Sequence, residues 1–209
     1  MRDKIKRVIV KNYRFIIMFI CLVFFLAILE DILDYEIKSF DIWGYNVISK
    51  SISEYMTPVA KVITRFGNAE SLVLITIILF IIIKNKKIKW AIPINLACST
   101  ILNFTLKNII QRPRPIEYRI INANGYSFPS GHSMVSMAFY GFLIYLIYKN
   151  VKNKYIKVIS ILLLSTLILL IGVSRIYLGV HYTSDVIGGF LLSISYLVLY
   201  VGILKRINN

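Results

Sequence analysis

Six apolar runs leave this chain little room to fold as anything but a membrane protein: residues 15–29 extending toward Ile32, 66–83, 90–106, 133–148, 158–173 and 186–204. A helix crosses a hydrocarbon layer of roughly 30 Å with about 20 apolar residues, and about 17 is a working minimum. The runs are apolar on nearly every face, so the alternation of a barrel strand is absent. Their interruptions are mostly Ser, Thr, Asn and Gly, which let helices approach closely and hydrogen-bond across a bundle. With 57% hydrophobic residues and a mean hydropathy of +0.71, the whole chain agrees with its parts. The expectation is an all-α integral membrane protein, a six-transmembrane-helix bundle forming one membrane-embedded domain over residues 1–209. Pro93 is expected to kink the third span.

Charge sets the expected orientation. The formal net charge is +15, from 25 Lys and Arg against 10 Asp and Glu. Basic residues cluster at Arg2, Lys4, Lys6, Arg7, Lys11 and Arg14; at Lys84, Lys86, Lys87 and Lys89; at Lys149, Lys152, Lys154 and Lys157; and at Lys205 and Arg206. These connections hold sixteen cations and one acid, Asp3, whereas the remaining nine cations and nine acids cancel on the other side. By the positive-inside rule both termini are cytoplasmic, and the first, third and fifth connections face outward across the cell membrane. No groove-reading helix or basic aromatic platform is present, so the charge implies no nucleic-acid partner. The basic leader of the first span resembles a signal peptide. No small-residue cleavage pattern follows it, and Leu29 leads directly into Glu30, Asp31 and Asp34, so a retained span is expected.

The first outer connection, 31–65, is too long for a turn. Ile48, Ile52, Met56, Val59 and Ile63 recur at helical spacing, interleaved with Lys50, Glu54 and Lys61. That pattern fits a helix lying in the membrane interface or an ordinary helix capping the bundle, with Pro58 kinking or dividing it. Cys21 and Cys98 both fall inside apolar runs, which excludes a disulfide framework.

Chemistry concentrates at the outer ends of the spans. The only two histidines, His132 and His181, precede the fourth and sixth spans, and Lys107, Arg114 and Arg175 fall at the same level. Cations near the hydrocarbon boundary are costly without a partner. Asp185 and Glu117 are the acids nearby, so a dianion such as phosphate is the natural missing charge. Ser130 and Gly131 immediately precede a helix, where unpaired N–H groups and the positive dipole end favour an anion. Ser130 also suits the helix N-cap, which is compatible with that role. His181 and Asp185 are four residues apart and share a helix face. A carboxylate holding one imidazole nitrogen leaves the other as nucleophile or base. Asp185 also fits a solvated acid complementing a helix dipole.

Three stretches together resemble the tripartite signature of the type 2 phosphatidic acid phosphatases. That signature is Lys, six residues, Arg-Pro; then Pro-Ser-Gly-His; then Ser-Arg, five residues, His, three residues, Asp. All eleven positions match, within residues 107–185: Lys107, Arg114 and Pro115; Pro129, Ser130, Gly131 and His132; Ser174, Arg175, His181 and Asp185. The resemblance implies that His181 attacks phosphorus and forms a phosphohistidine, that Asp185 orients it, and that His132 protonates the leaving oxygen. It implies that Lys107, Arg114, Ser130, Gly131 and Arg175 hold the phosphoryl oxygens. No cofactor and no metal are implied, and three neighbouring cations oppose a divalent ion beside His132, His181 and Asp185. The implied partners are the bilayer and a lipid phosphate, with phosphatidylglycerophosphate ahead of undecaprenyl pyrophosphate, phosphatidate or diacylglycerol pyrophosphate. A phospholipid transporter explains the cations but not the His181/Asp185 pair. Vanadate-dependent haloperoxidases share the signature but are soluble.

Overall fold

The computed structural model describes the backbone of residues 2–208 and the side chains of residues 12–206. The side chains of Arg2, Asp3, Lys4, Lys6, Arg7 and Lys11 lie outside the described residues. Among the described residues the chain forms eight helices and no strand: α1 (Arg2–Leu33), α2 (Lys38–Ser49), α3 (Met56–Arg65), α4 (Ala69–Ile82), α5 (Lys86–Ile110), α6 (Gly131–Asn150), α7 (Lys154–Tyr177) and α8 (Thr183–Asn208).

Among the described residues, four helices are long and apolar enough to cross a membrane: α1 over Asn12–Leu33, α6, α7, and α8 over Thr183–Arg206. The pair α3 and α4, bent by 50°, makes a fifth only if taken as one broken span. The remaining expected span, the third, is α5, which has 25 residues and so the required length, about 37 Å at 1.5 Å per residue. Its apolarity falls short for a physical reason. Asn95, Ser99, Asn103 and Lys107 recur every fourth residue and form a polar stripe along one face. Asn95, Ser99 and Asn103 are buried. The stripe faces protein, where buried polar groups need hydrogen-bond partners: Asn95 Nδ2 donates to the Ala138 carbonyl at 2.9 Å and Asn103 Nδ2 to the Pro129 carbonyl at 3.1 Å. The opposite face carries exposed Ile94, Ile101 and Phe104. α5 runs as one element through Pro93.

The helices pack around Phe139, Phe142, Ile171, Leu72 and Ile92, with α6 central against α5, α7 and α8, and α1 lying along α8. Exposed Phe15, Phe19, Leu74, Ile78, Leu162 and Leu163 extend the apolar surface around the bundle, as a lipid-facing belt requires. At one end, Lys87, Lys149 and Lys205 surround a small cavity of about 100 Å³. The opposite ends of the same helices carry Lys107, His132 and Asp185, so the bundle has a basic end and a chemical end.

The first long connection folds as two helices. The apolar periodicity across residues 48–63 does not lie on one helix, because residues 50–55 separate α2 from α3. Pro58 is the third residue of α3, in the first turn, where a missing N–H costs no helical bond. α2 exposes Phe40, Trp43 and Val47 along one side and buries Asp41 and Gly44 on the other.

The α7–α8 turn requires glycine at one position. Gly179 has φ +67°, and a Cβ there would fall on the backbone carbonyl of Tyr118. The neighbouring Leu178 carbonyl accepts from Ile120 N at 3.0 Å, so the turn is stitched to the segment that follows α5. Gly179→Ala combines left-handed strain with a backbone clash and is expected to cost about 3 kcal/mol. Thermal unfolding of the purified protein measures this, and an unchanged melting temperature would show that the turn is not fixed as described.

Candidate active site

Four segments bring the sequence-predicted residues to one cavity of about 560 Å³. α5 brings Lys107, the loop after it brings Arg114, the start of α6 brings Gly131 and His132, and the end of α7 with the following turn brings Arg175 and His181. These six of the eight sequence-predicted site residues line the cavity. The other two, Ser130 and Asp185, are fully buried behind it.

His181 is 3% exposed and held at both ring nitrogens. Its Nε2 lies 2.9 Å from Arg114 Nη1, and its Nδ1 lies 3.2 Å from Asp185 Oδ2. A guanidinium only donates, so Nε2 accepts and Nδ1 carries the proton given to Asp185. The lone pair of His181 is therefore on the atom facing Arg114. Burial pushes the imidazole down to about 3, with Arg114 and Lys107 adding to the effect and Asp185 opposing it. The ring is neutral at neutral pH, the state a nucleophile needs.

His132 Nε2 donates to Asn68 Oδ1 at 2.7 Å, so this ring too is oriented through one nitrogen, here by an amide instead of a carboxylate. Ser130 caps α6. Its hydroxyl accepts from Ser133 N at 3.4 Å and its own N–H donates to the Asp185 carbonyl at 3.0 Å. Gly188 and Gly189 permit this packing, since a Cβ on Gly188 would sit 2.6 Å from the Phe128 ring and one on Gly189 3.2 Å from the Ser130 carbonyl. Ser130 thus positions the helix start, while Gly131 presents backbone to the cavity.

The three cations are anchored by neutral groups. Lys107 Nζ donates to the carbonyls of Tyr126 at 2.6 Å and Ser127 at 3.1 Å. Arg114 donates to the carbonyls of Asn124, Gly125 and Val180. Arg175, 5% exposed, donates Nη1 to Thr64 Oγ1 at 2.7 Å, and its buried Nε has no partner among the described residues. Burial lowers the Arg114 pKa, against the opposing pull of Asp185. Among the described residues no carboxylate forms an ion pair with any of the three, and none lines the cavity. Lys61 and Arg65 of α3 line it as well. A concave site with this charge and no internal counter-ion selects an anion.

A family model described as the PAP2 superfamily matches residues 72–208, about two thirds of the chain. The chain belongs to the PAP2 superfamily. Among PAP2 relatives, phosphatidylglycerophosphatase B of Bacillus subtilis (strain 168) is 33% identical over 110 residues, covering 52% of this chain and 54% of that protein. The match thus spans about half the length of that curated relative. The crystal structure of a transmembrane PAP2 type phosphatidylglycerolphosphate phosphatase from Bacillus subtilis superimposes with a TM-score of 0.82 at 26% identity, over 91% of this chain and 96% of that one. That of Aquifex aeolicus LpxE gives 0.61 at 24% identity over 76% and 92%, a likeness of fold. The resemblance drawn from the three PAP2 stretches therefore holds at the level of the family.

Several residues at this PAP2 site lie outside the eight named from sequence. Asn68, just before α4, and Thr64, on α3, each hold a site residue. Arg112 donates Nη1 to Asp185 Oδ1 and Nη2 to Asp41 Oδ2, both at 2.6 Å, and its guanidinium lies 4.2 Å from the centre of the Tyr182 ring. Ser184 N and Oγ both donate to Asp41 Oδ1. The Arg-Pro-Arg-Pro run of residues 112–115 offered a signal for Arg112. Nothing local distinguishes Asp41 from any other loop acid.

Proposed function

We propose that this protein is an integral-membrane lipid phosphatase that removes a terminal phosphate from an amphiphile through a phosphohistidine on His181. The observation that carries the proposal is the cavity itself, lined by three cations without acid partners and by a neutral histidine whose lone pair faces one of them, Arg114. Phosphoryl transfer needs mainly positioning and charge stabilisation, and these groups supply both.

In the first step His181 Nε2 forms a bond to phosphorus as the bond to the leaving oxygen breaks, and His132 delivers a proton to that oxygen. Arg114 moves from Nε2 to the phosphoryl oxygens, joined by Lys107, Arg175 and the Gly131 N–H, with Ser130 supporting the helix start. Asp185 stabilises the positive imidazole. In the second step His132 takes a proton from water, which displaces His181 and releases inorganic phosphate. The chain crosses the cell membrane six times, with α5 as the polar-striped span and α3–α4 as a bent one. Its termini are cytoplasmic, and the site opens outward. The partition of basic residues between the two ends of the bundle supports this orientation.

The preferred substrate is phosphatidylglycerophosphate, favoured by the Bacillus subtilis matches in sequence and in structure; undecaprenyl pyrophosphate is the second reading. Phosphate release by purified protein from a panel of both lipids, phosphatidate and diacylglycerol pyrophosphate decides between them. The highest kcat/KM is expected for phosphatidylglycerophosphate, and a higher value for undecaprenyl pyrophosphate would reverse the order. Excess EDTA is expected to leave the rate within about twofold, since no Lewis acid takes part in either step. Loss of turnover on chelation, restored by a divalent ion, would refute the metal-independent mechanism.

A further inference from the structure

The catalytic pair His181–Asp185 does not stand alone. Asp185 is fully buried, and its carboxylate accepts at both oxygens: Arg112 at 2.6 Å and Ser127 Oγ at 3.4 Å on Oδ1, His181 Nδ1 at 3.2 Å and Tyr182 N at 2.9 Å on Oδ2. Arg112 is itself fixed from the other side by Asp41, which is 4% exposed and held in turn by Ser184 N and Oγ at 2.8 and 2.7 Å. Such a fork of parallel N–H donors is rigid, and a guanidinium shared between two carboxylates cannot swing without breaking both pairs. The shortest contact to Asp185 therefore comes from a residue that does not line the 560 Å³ cavity.

We propose that Arg112 is a positioning residue for the nucleophile: anchored by Asp41 on α2, it claims Asp185 Oδ1 and so reserves Oδ2, in one fixed plane, for the imidazole. This rests on the role proposed above for His181. The chemical consequence concerns charge as well as geometry. A buried carboxylate draws a proton onto whichever base it touches. With Arg112 neutralising part of Asp185, that pull on His181 weakens and the ring stays neutral until a phosphoryl group arrives. For Arg112 itself, burial works against its charge, yet Asp185 and Asp41 outweigh that cost and raise its pKa. The other groups facing His181 are all cationic or neutral at the cavity: Arg114 beside it, Lys107 of α5, Arg175 of α7 and His132 of α6, with Lys61 and Arg65 of α3 also on the lining. None of these can substitute for Arg112 in restraining Asp185, because Asp185 is sealed behind the cavity wall.

The test uses Asp41→Asn combined with Arg112→Gln, which removes one charge of each sign and leaves the buried net charge unchanged. The chain carries two histidines, so ring-nitrogen NMR in detergent micelles gives two titrating signals, assigned with His132→Asn. In the double variant kcat is expected to fall about 30-fold with KM within about twofold, and His181 to take up its proton at a pH higher by at least about one unit. The sign follows from Asp185: less shared negative charge holds a proton on His181 more tightly. A kcat within threefold of wild type, or an unshifted His181 titration, overturns the proposal. Arg112→Lys keeps the buried charge but cannot bridge both carboxylates. It must lower kcat in the same direction by a smaller factor, and wild-type kcat in this variant also overturns the proposal. If wild-type protein released no phosphate from any lipid in the panel, the phosphatase assignment would fail, while the NMR titration would still decide the role of Arg112.

Discussion

Replacing His181 by Asn is expected to lower phosphate release from the lipid by about 10⁴-fold or more while leaving the protein folded and its cavity able to bind an anion. The amide keeps a donor for Asp185 and a polar group toward Arg114, so the two contacts at 3.2 and 2.9 Å can be approximated without a nucleophilic lone pair. Two of the three cavity cations are not held by His181. Lys107 rests on two carbonyls and Arg175 on Thr64, so both persist in the variant. Vanadate or inorganic phosphate should therefore still protect the variant against thermal unfolding. Single-turnover measurement of phosphate release gives the chemical step directly, and a residual rate within tenfold of wild type would mean that His181 is not the nucleophile. Loss of anion protection together with loss of turnover would instead mark His181 as part of the binding surface.

Replacing His132 by Asn is expected to cost about 10³-fold with a lipid substrate, in the range of a lost general acid. The loss should depend on the leaving group. An alkoxide needs the proton, whereas p-nitrophenolate leaves without one. With p-nitrophenyl phosphate the variant should release nitrophenol in a burst of one per site and then stall, because no base remains to activate water against the phosphohistidine. Stopped-flow absorbance reads the burst. Equal losses with both substrates and no burst would remove His132 from proton transfer and leave it as a partner of Asn68.

The sequence revealed the strongly apolar helices best, because their length alone meets the bilayer requirement. α1, α6, α7 and α8 follow the expected runs closely. α5 was harder to judge. From its stripe, Asn95, Asn103 and Lys107 satisfy partners on α6 and in the 126–129 segment, and only tertiary structure turns that stripe inward. The break at residues 50–55 was hidden by an apolar periodicity that continues across it, and Pro58 drew attention to the wrong position.

At the site, legibility followed sequence distance. His181 and Asp185 lie one helical turn apart, and the signature residues occupy three short stretches. The groups that hold them come from afar: Asn68 is 64 positions from His132, Asp41 is 71 from Arg112, and Thr64 is 111 from Arg175. A lone Asp, Asn or Thr in a long connection carries no periodicity and no local partner that would announce such a role. Ser130 is legible only in part. Its place in the signature implies a part in holding phosphate, and no sequence pattern announces that its hydroxyl also meets Ser133 or that its N–H donates to the Asp185 carbonyl.

The central claim is the covalent intermediate on His181, and chemical trapping tests it most directly. His132→Asn protein incubated with p-nitrophenyl phosphate, quenched in alkali where phosphohistidine survives, and digested for mass spectrometry should carry one phosphoryl group on His181, at Nε2. The label should vanish in His181→Asn. A stoichiometric label on any other residue, or a nitrophenol burst with no phosphorylated peptide, would contradict the mechanism.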